Sequence, residues 1–107
     1  MKYYLTYYEE YPIYEAAEGG YYYAGRSAEE WAYDENLSEI LNYIAEFANK
    51  HDMKLRRDMN SIMEIFKYWG AVIVAEEHSK YIGEDRFIRL ENELEFKNYE
   101  SYWHPYE

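Results

Sequence analysis

The sequence predicts an α+β fold in a single domain over residues 1–107: a Tyr-rich N-terminal antiparallel sheet, two main helices, then a C-terminal strand and β-hairpin. Three observations lead there. The first residues alternate in the period of a strand, two central stretches repeat their apolar residues in the period of a helix, and a short β-branched run follows Gly70. The 107 residues suit one domain, and an apolar fraction of 49% is sufficient for a core.

Residues 2–8 are rich in Tyr, Leu and Thr and read as a strand. The run Tyr11-Pro12-Ile13-Tyr14-Glu15-Ala16-Ala17 reaches Glu18-Gly19-Gly20 and returns as Tyr21-Tyr22-Tyr23, which reads as a hairpin. A two-residue Gly19-Gly20 turn sets Ala17 opposite Tyr22 and Ala16 opposite Tyr23. Pro12 donates no ladder hydrogen bond and belongs at a strand start or on an edge.

Ser27-Ala28-Glu29-Glu30 has capping-box spacing and predicts a short helix to about Tyr33. A longer helix starts at Asn36 as N-cap, carries Leu37, Ile40, Leu41, Ile44, Ala45, Phe47 and Ala48 in helical period, and ends near Lys50 or His51. A second runs from about Asp58 to Trp69 with Met59, Ile62, Met63, Phe66 and Trp69 on one side and Gly70 as its C′ residue. Ala71-Val72-Ile73-Val74-Ala75 reads as a buried, central strand. Phe87–Leu90 and Leu94–Phe96 read as a hairpin with Leu90 opposite Leu94 and Ile88 opposite Phe96. Tyr99, Tyr102, Trp103 and Tyr106 predict a tail that docks on the body. An alternative takes helix, helix and hairpin over residues 37–90 as a winged helix, but Asp58 and Glu64 against Lys67 suit no DNA groove.

Charge narrows the function. Twenty-two acidic residues against 11 basic give −11, so direct binding of nucleic acid or anionic lipid is disfavoured. The absence of Cys removes disulfides, thiolate nucleophiles and thiolate-held metal clusters. The N-terminus lacks the aliphatic core of a secretory signal, and no apolar run approaches a membrane span, so a soluble cytoplasmic protein is expected. The charge is also uneven. From Tyr3 to Asn49, ten carboxylates face one basic residue, Arg26, and only then do Lys50, Lys54, Arg56 and Arg57 crowd together.

Aromatic residues make up 21% of the chain, with 16 Tyr, so strand runs such as Tyr3-Tyr4, Tyr7-Tyr8 and Tyr21-Tyr22-Tyr23 put rings on both sides of the sheet. With one side in the core, the other exposes Tyr beside carboxylates, a combination suited to protein recognition. The candidate partner-binding residues are the carboxylates Glu9, Glu10, Glu15, Glu18, Glu29, Glu30, Asp34 and Glu35, with Tyr8, Tyr11, Tyr14 and Tyr22 as anchors.

Small size, strong acidity, no Cys, and carboxylates interleaved with Tyr give a chain that resembles the DNA-mimicking inhibitors of phages and mobile elements, the anti-CRISPR and anti-restriction proteins. The resemblance is one of type and rests on no family motif. It implies a non-enzymatic inhibitor without cofactor, acting in the cytoplasm of a bacterial host, whose carboxylates occupy the basic channel of a nuclease such as a CRISPR effector or restriction enzyme. An immunity or antitoxin protein against a basic nuclease toxin is the alternative with the same physics, and a non-inhibitory interaction domain is another. A metal-dependent nuclease is a fourth reading, because Asp85 with Glu95-Phe96-Lys97 has the D…ExK spacing that holds Mg²⁺ in restriction-type folds. The three His residues form no HExxH, and there is no P-loop, GxGxxG or GxSxG.

Overall fold

The computed structural model describes residues 1–15, 21–78 and 85–102, with side chains described for 1–10, 26–78 and 85–99. The chain is α+β. Its elements in order are β1 (Tyr3–Glu15), β2 (Tyr21–Asp34), α1 (Leu37–Lys50), α2 (Met59–Trp69), β3 (Ala71–His78), β4 (Asp85–Asn92) and α3 (Glu93–Tyr102). The four strands form one antiparallel sheet in the order β2-β1-β4-β3.

β1 joins what the sequence reads as two strands into one 13-residue strand that runs through Pro12. The described pairing of β1 with β4 ends at Glu10↔Asp85, so Pro12 lies where β2 is its only described ladder partner. The pairing of β1 with β2 corrects the expected hairpin register. Tyr22 lies opposite Tyr14 and Tyr23 opposite Ile13, rather than opposite Ala17 and Ala16. The register is set by the buried middle of the pair, where Leu5 opposes Ala32, and by a bulge between Tyr7 and Tyr8 that leaves Glu29 as the extra residue of β2. Gly19-Gly20 falls in the connection 16–20, outside the described residues.

The helix expected over Ser27–Tyr33 is instead the second half of β2. A short helix there would forfeit the ladder with Tyr4–Glu9 of β1, and Trp31 and Tyr33 favour a pleated surface. The Ser27 hydroxyl donates to the Glu29 carboxylate, a local strand contact rather than a helix cap.

α1 and α2 are capped as their sequences require. Asn36 Oδ1 accepts from the Ser38 amide at 3.0 Å and from its hydroxyl at 2.7 Å, and Asp58 Oδ1 accepts from the Ser61 amide at 2.8 Å. That amide, donating to the charged carboxylate, holds the Asp58 carboxyl below its ordinary range. α1 buries Ile40, Ile44, Phe47 and Ala48, and α2 buries Ile62 and Phe66, whereas Met59 and Trp69 at the two ends of α2 are exposed. α1 closes with the Met53 amide donating to the Ala48 carbonyl at 2.8 Å, and Asp52 occupies the left-handed position at φ 53° that normally takes glycine. Asp52→Gly is therefore expected to raise stability by about 0.5–1 kcal/mol in urea denaturation. α2 closes on Gly70 at φ 77°, where a Cβ would strike the Asn92 side chain and approach Glu95.

β3 is an edge strand, not a central one. Its apolar run is buried by the helices over one face, and its outer edge is partly closed by the chain after α1. There Leu55 bridges Ala75, and the Arg56 amide donates to the Val74 carbonyl at 2.8 Å.

The largest departure lies at the C-terminus. β4 continues to Asn92 and α3 begins at Glu93, so Leu94 and Phe96 are helical and form no hairpin with Leu90 and Ile88. Asn92 makes the switch: its Oδ1 accepts from the Glu95 amide at 2.8 Å while its own amide donates to the Gly70 carbonyl at 2.8 Å. Leu90 pairs instead with Leu5 of β1 and Val72 of β3. β3 and β4 do follow α1 and α2 as in a winged helix, but they form half of a larger sheet.

Both faces of the sheet are covered over the paired stretch of β1 and β4. Leu5 and Tyr7 of β1, Ile88 and Leu90 of β4, and Val72 and Val74 of β3 pack under α1 and α2. The alternate β1 residues pack under α3, where Tyr4 stacks on Phe96 at 3.9 Å and Tyr8 meets Tyr99 edge-on at 5.1 Å. The expectation that only one side of the sheet is core therefore fails over β1 and β4. Tyr99 confirms part of the docked tail, and residues 103–107 lie outside the described residues.

Candidate partner-binding surface

Beyond the end of β4, β1 and β2 continue together over Tyr11–Glu15 and Tyr21–Gly25, an arm of about 15 Å. The molecule measures 47 × 29 × 21 Å along its principal axes. Residues 11–25 contain five Tyr, two Glu and no basic residue. The register sets Tyr14 opposite Tyr22, Glu15 opposite Tyr21 and Tyr11 opposite Gly25. The side chains of Tyr11, Tyr14, Glu15 and Tyr22, and all of Glu18, lie outside those described.

At the root of the arm the bulge spreads the remaining carboxylates. Glu9 is exposed and shares a face with its cross-strand partners Ser27 and Arg86. Glu29, the bulge residue, is exposed, and so is Glu35 at the junction of β2 and α1. Glu9, Glu29 and Glu35 make no ion pair among the described residues. The other three described candidates are engaged. Glu10 holds Arg26 at 3.1 Å, Glu30 holds Lys50 at 2.7 Å, and Asp34 accepts from the Asn36 amide at 2.8 Å. Lys50 thereby compensates an N-terminal carboxylate while also lying in the last turn of α1, where a cation meets the negative end of the helix dipole.

Tyr8 must be withdrawn as a surface anchor. It is fully buried, and its hydroxyl donates to Glu91 Oε1 at 2.8 Å beneath α3. It is the inward residue of a face that α3 closes, so it offers no area to a partner. The exposed aromatics that strand alternation could have found are Trp31 and Tyr33, half-exposed at 50% and 56%, which sit two residues apart on β2. The expected helix over Ser27–Tyr33 concealed that spacing.

Beneath α3 lies a polar network that no local pattern announces. Glu91 is fully buried, and besides Tyr8 it meets Arg89 at 3.1 Å. The Arg89 guanidinium lies 3.9 Å from the Tyr99 ring centre and that of Arg26 lies 4.3 Å from it. Burial pushes the Tyr99 hydroxyl above its ordinary pKa, opposed by the two arginines.

The nuclease-like set is not assembled. Asp85 begins β4 and Glu95 follows its end, a separation of roughly 20 Å along the strand. Glu95 and Lys97 stand on a helix, where Lys97 pairs with Glu93 at 3.1 Å and Glu95 approaches Arg89. Asp85 instead meets His78 Nδ1 at 3.2 Å. No group of three or more His, Asp or Glu able to hold a metal occurs among the described residues.

Hydrogen bonding to Asp85, reinforced by its charge, raises the pKa of His78 above the ordinary 6.5. A raised pKa means that His78 stabilises the fold fully below its unfolded value and ceases to do so as pH rises through the raised one. An NMR titration is expected to give a His78 midpoint above 6.5, falling towards it in Asp85→Asn.

Among the described residues no helix is long and apolar enough to cross a membrane. Compared with protein-family models, with characterised proteins and with solved structures, the chain matches none, so the functional reading rests on this surface alone.

Proposed function

We propose that this protein is an acidic inhibitor, acting in the bacterial cytoplasm, that docks on the basic nucleic-acid-binding surface of a defence nuclease, a CRISPR effector or a restriction enzyme. Its carboxylates take the places of DNA phosphates. The observation that carries this reading is the charge of the β1–β2 arm and its root. Arg26 is the one basic residue between Tyr3 and Asn49, and it is already committed to Glu10, while Glu9, Glu29 and Glu35 remain exposed. Such a surface accelerates encounter with a basic channel and repels nucleic acid itself. Tyr-rich strands add contact area that charge alone does not supply.

Replacing Glu9, Glu15, Glu18 and Glu29 together by Gln is the test, and Glu10 is spared because it holds Arg26. In DNA-cleavage assays on a panel of CRISPR and restriction nucleases, the parent protein inhibits at least one. The variant is expected to keep its circular dichroism spectrum and to lose about a hundredfold in potency, at about 0.5–1 kcal/mol for each lost ion pair. Undiminished potency, or a parent that inhibits none of the panel, overturns the proposal.

A further inference from the structure

The two edges of the sheet are treated differently. The edge at β3 is short and partly closed by Leu55 and Arg56. The edge at β2 is 14 residues long, and β1 is its only ladder partner among the described residues. A row of backbone donors and acceptors of that length is a template for another strand.

The side chains beside this edge say which strand would fit. α3 covers β1 and β4 on its side of the sheet, through Tyr4, Tyr8 and Phe87, and leaves Trp31 and Tyr33 of β2 exposed on the same side. The Tyr33 ring already attracts a cation, since the Lys2 ammonium lies 5.0 Å from its centre. The exposed carboxylates Glu29 and Glu35 lie at either end of the pair. A second copy of this chain is a poor occupant, because edge-to-edge pairing of two β2 strands brings Glu29, Glu30, Asp34 and Glu35 against their own kind between molecules of charge −11.

We propose that the outer edge of β2, from Ser27 to Asp34, takes up an extended arginine- or lysine-bearing segment of the protein partner as a fifth strand. Backbone hydrogen bonds supply the pairing, Trp31 and Tyr33 stack on guanidinium groups, and Glu29 and Glu35 neutralise the cations. This rests on the reading of a basic protein partner and adds how that partner is gripped.

The probe is a synthetic peptide of about eight residues alternating Arg and Val, long enough to pair along the edge. Its control is the same peptide N-methylated at alternate residues, which keeps every charge and side chain but cannot complete a ladder. The first peptide is expected to protect alternate β2 amides between Ser27 and Asp34 from hydrogen exchange, and to bind at least about tenfold more tightly than the control. Trp31→Ala with Tyr33→Ala is expected to weaken it without removing the amide pattern. Equal, salt-sensitive binding of both peptides overturns strand addition and leaves acidic docking standing. Binding of neither, or protection elsewhere, also overturns strand addition, and the inhibitor reading is then decided separately by the nuclease panel.

Discussion

Arg89→Met is expected to destabilise the protein by about 3–5 kcal/mol, the cost of breaking a buried ion pair by removing one partner. Glu91 has no exposed surface, and Arg89 is exposed over only 14% of its side chain, so water cannot replace the guanidinium. A domain of this size has about 5–15 kcal/mol in hand, and a large part of the population would unfold under mild denaturant. The same substitution removes one of the two cations from the Tyr99 ring, leaving Arg26, and loosens α3 over β4. The double variant Arg89→Met, Glu91→Leu is expected to recover most of the loss, because a well-packed apolar pair is often as stable as a buried ion pair. Urea denaturation of the parent, the single and the double variant measures this. A loss below about 1 kcal/mol in the single variant contradicts the assignment of Arg89 as the compensating charge.

The second large effect separates two residues that the sequence treats as partners. Leu90 is fully buried between β1 and β3, so Leu90→Ala is expected to cost about 2–5 kcal/mol. Leu94 is 60% exposed on α3, so Leu94→Ala is expected to stay within about 0.5 kcal/mol of the parent. In the hairpin that the sequence suggests, the two would face each other and cost about the same. Denaturation midpoints of the two variants measured side by side distinguish the arrangements.

That misreading has a physical origin. Leu94–Phe96 spans only three residues, over which alternation cannot separate a strand from a helix. What decides is tertiary: Tyr4 and Tyr8 need a cover, and Phe96 and Tyr99, three apart, provide it only from a helix. A hairpin over Phe87–Leu90 and Leu94–Phe96 leaves Asn92 in its loop, whereas the structure uses that side chain to cap α3. At Ser27–Glu30 the reverse occurred, because a capping-box spacing was present and a long ladder with β1 outweighed it. The existence, caps and ends of α1 and α2 were legible, since their caps, apolar periods and the Gly70 stop agree with one another, but Ala45, Met59 and Trp69, read as part of the apolar faces, are exposed. Tyr8 illustrates the limit for the surface. Its burial depends on α3, whose Tyr99 lies ninety-one residues further along the chain. The ion pairs that occupy Glu10 and Glu30 likewise join residues distant in sequence, so no local pattern separates these carboxylates from the exposed Glu9, Glu29 and Glu35.

The proposed function requires the acidic arm and its root to compete with nucleic acid for a basic partner. Its most direct test is affinity capture of the tagged protein from a nuclease-treated bacterial lysate, with bound proteins identified by mass spectrometry at low salt, at high salt and after addition of DNA. The expected result is a basic nucleic-acid enzyme held at low salt and released both by salt, which screens the carboxylates, and by DNA, which takes their place. A partner retained regardless of salt and DNA, or no partner at all, contradicts it.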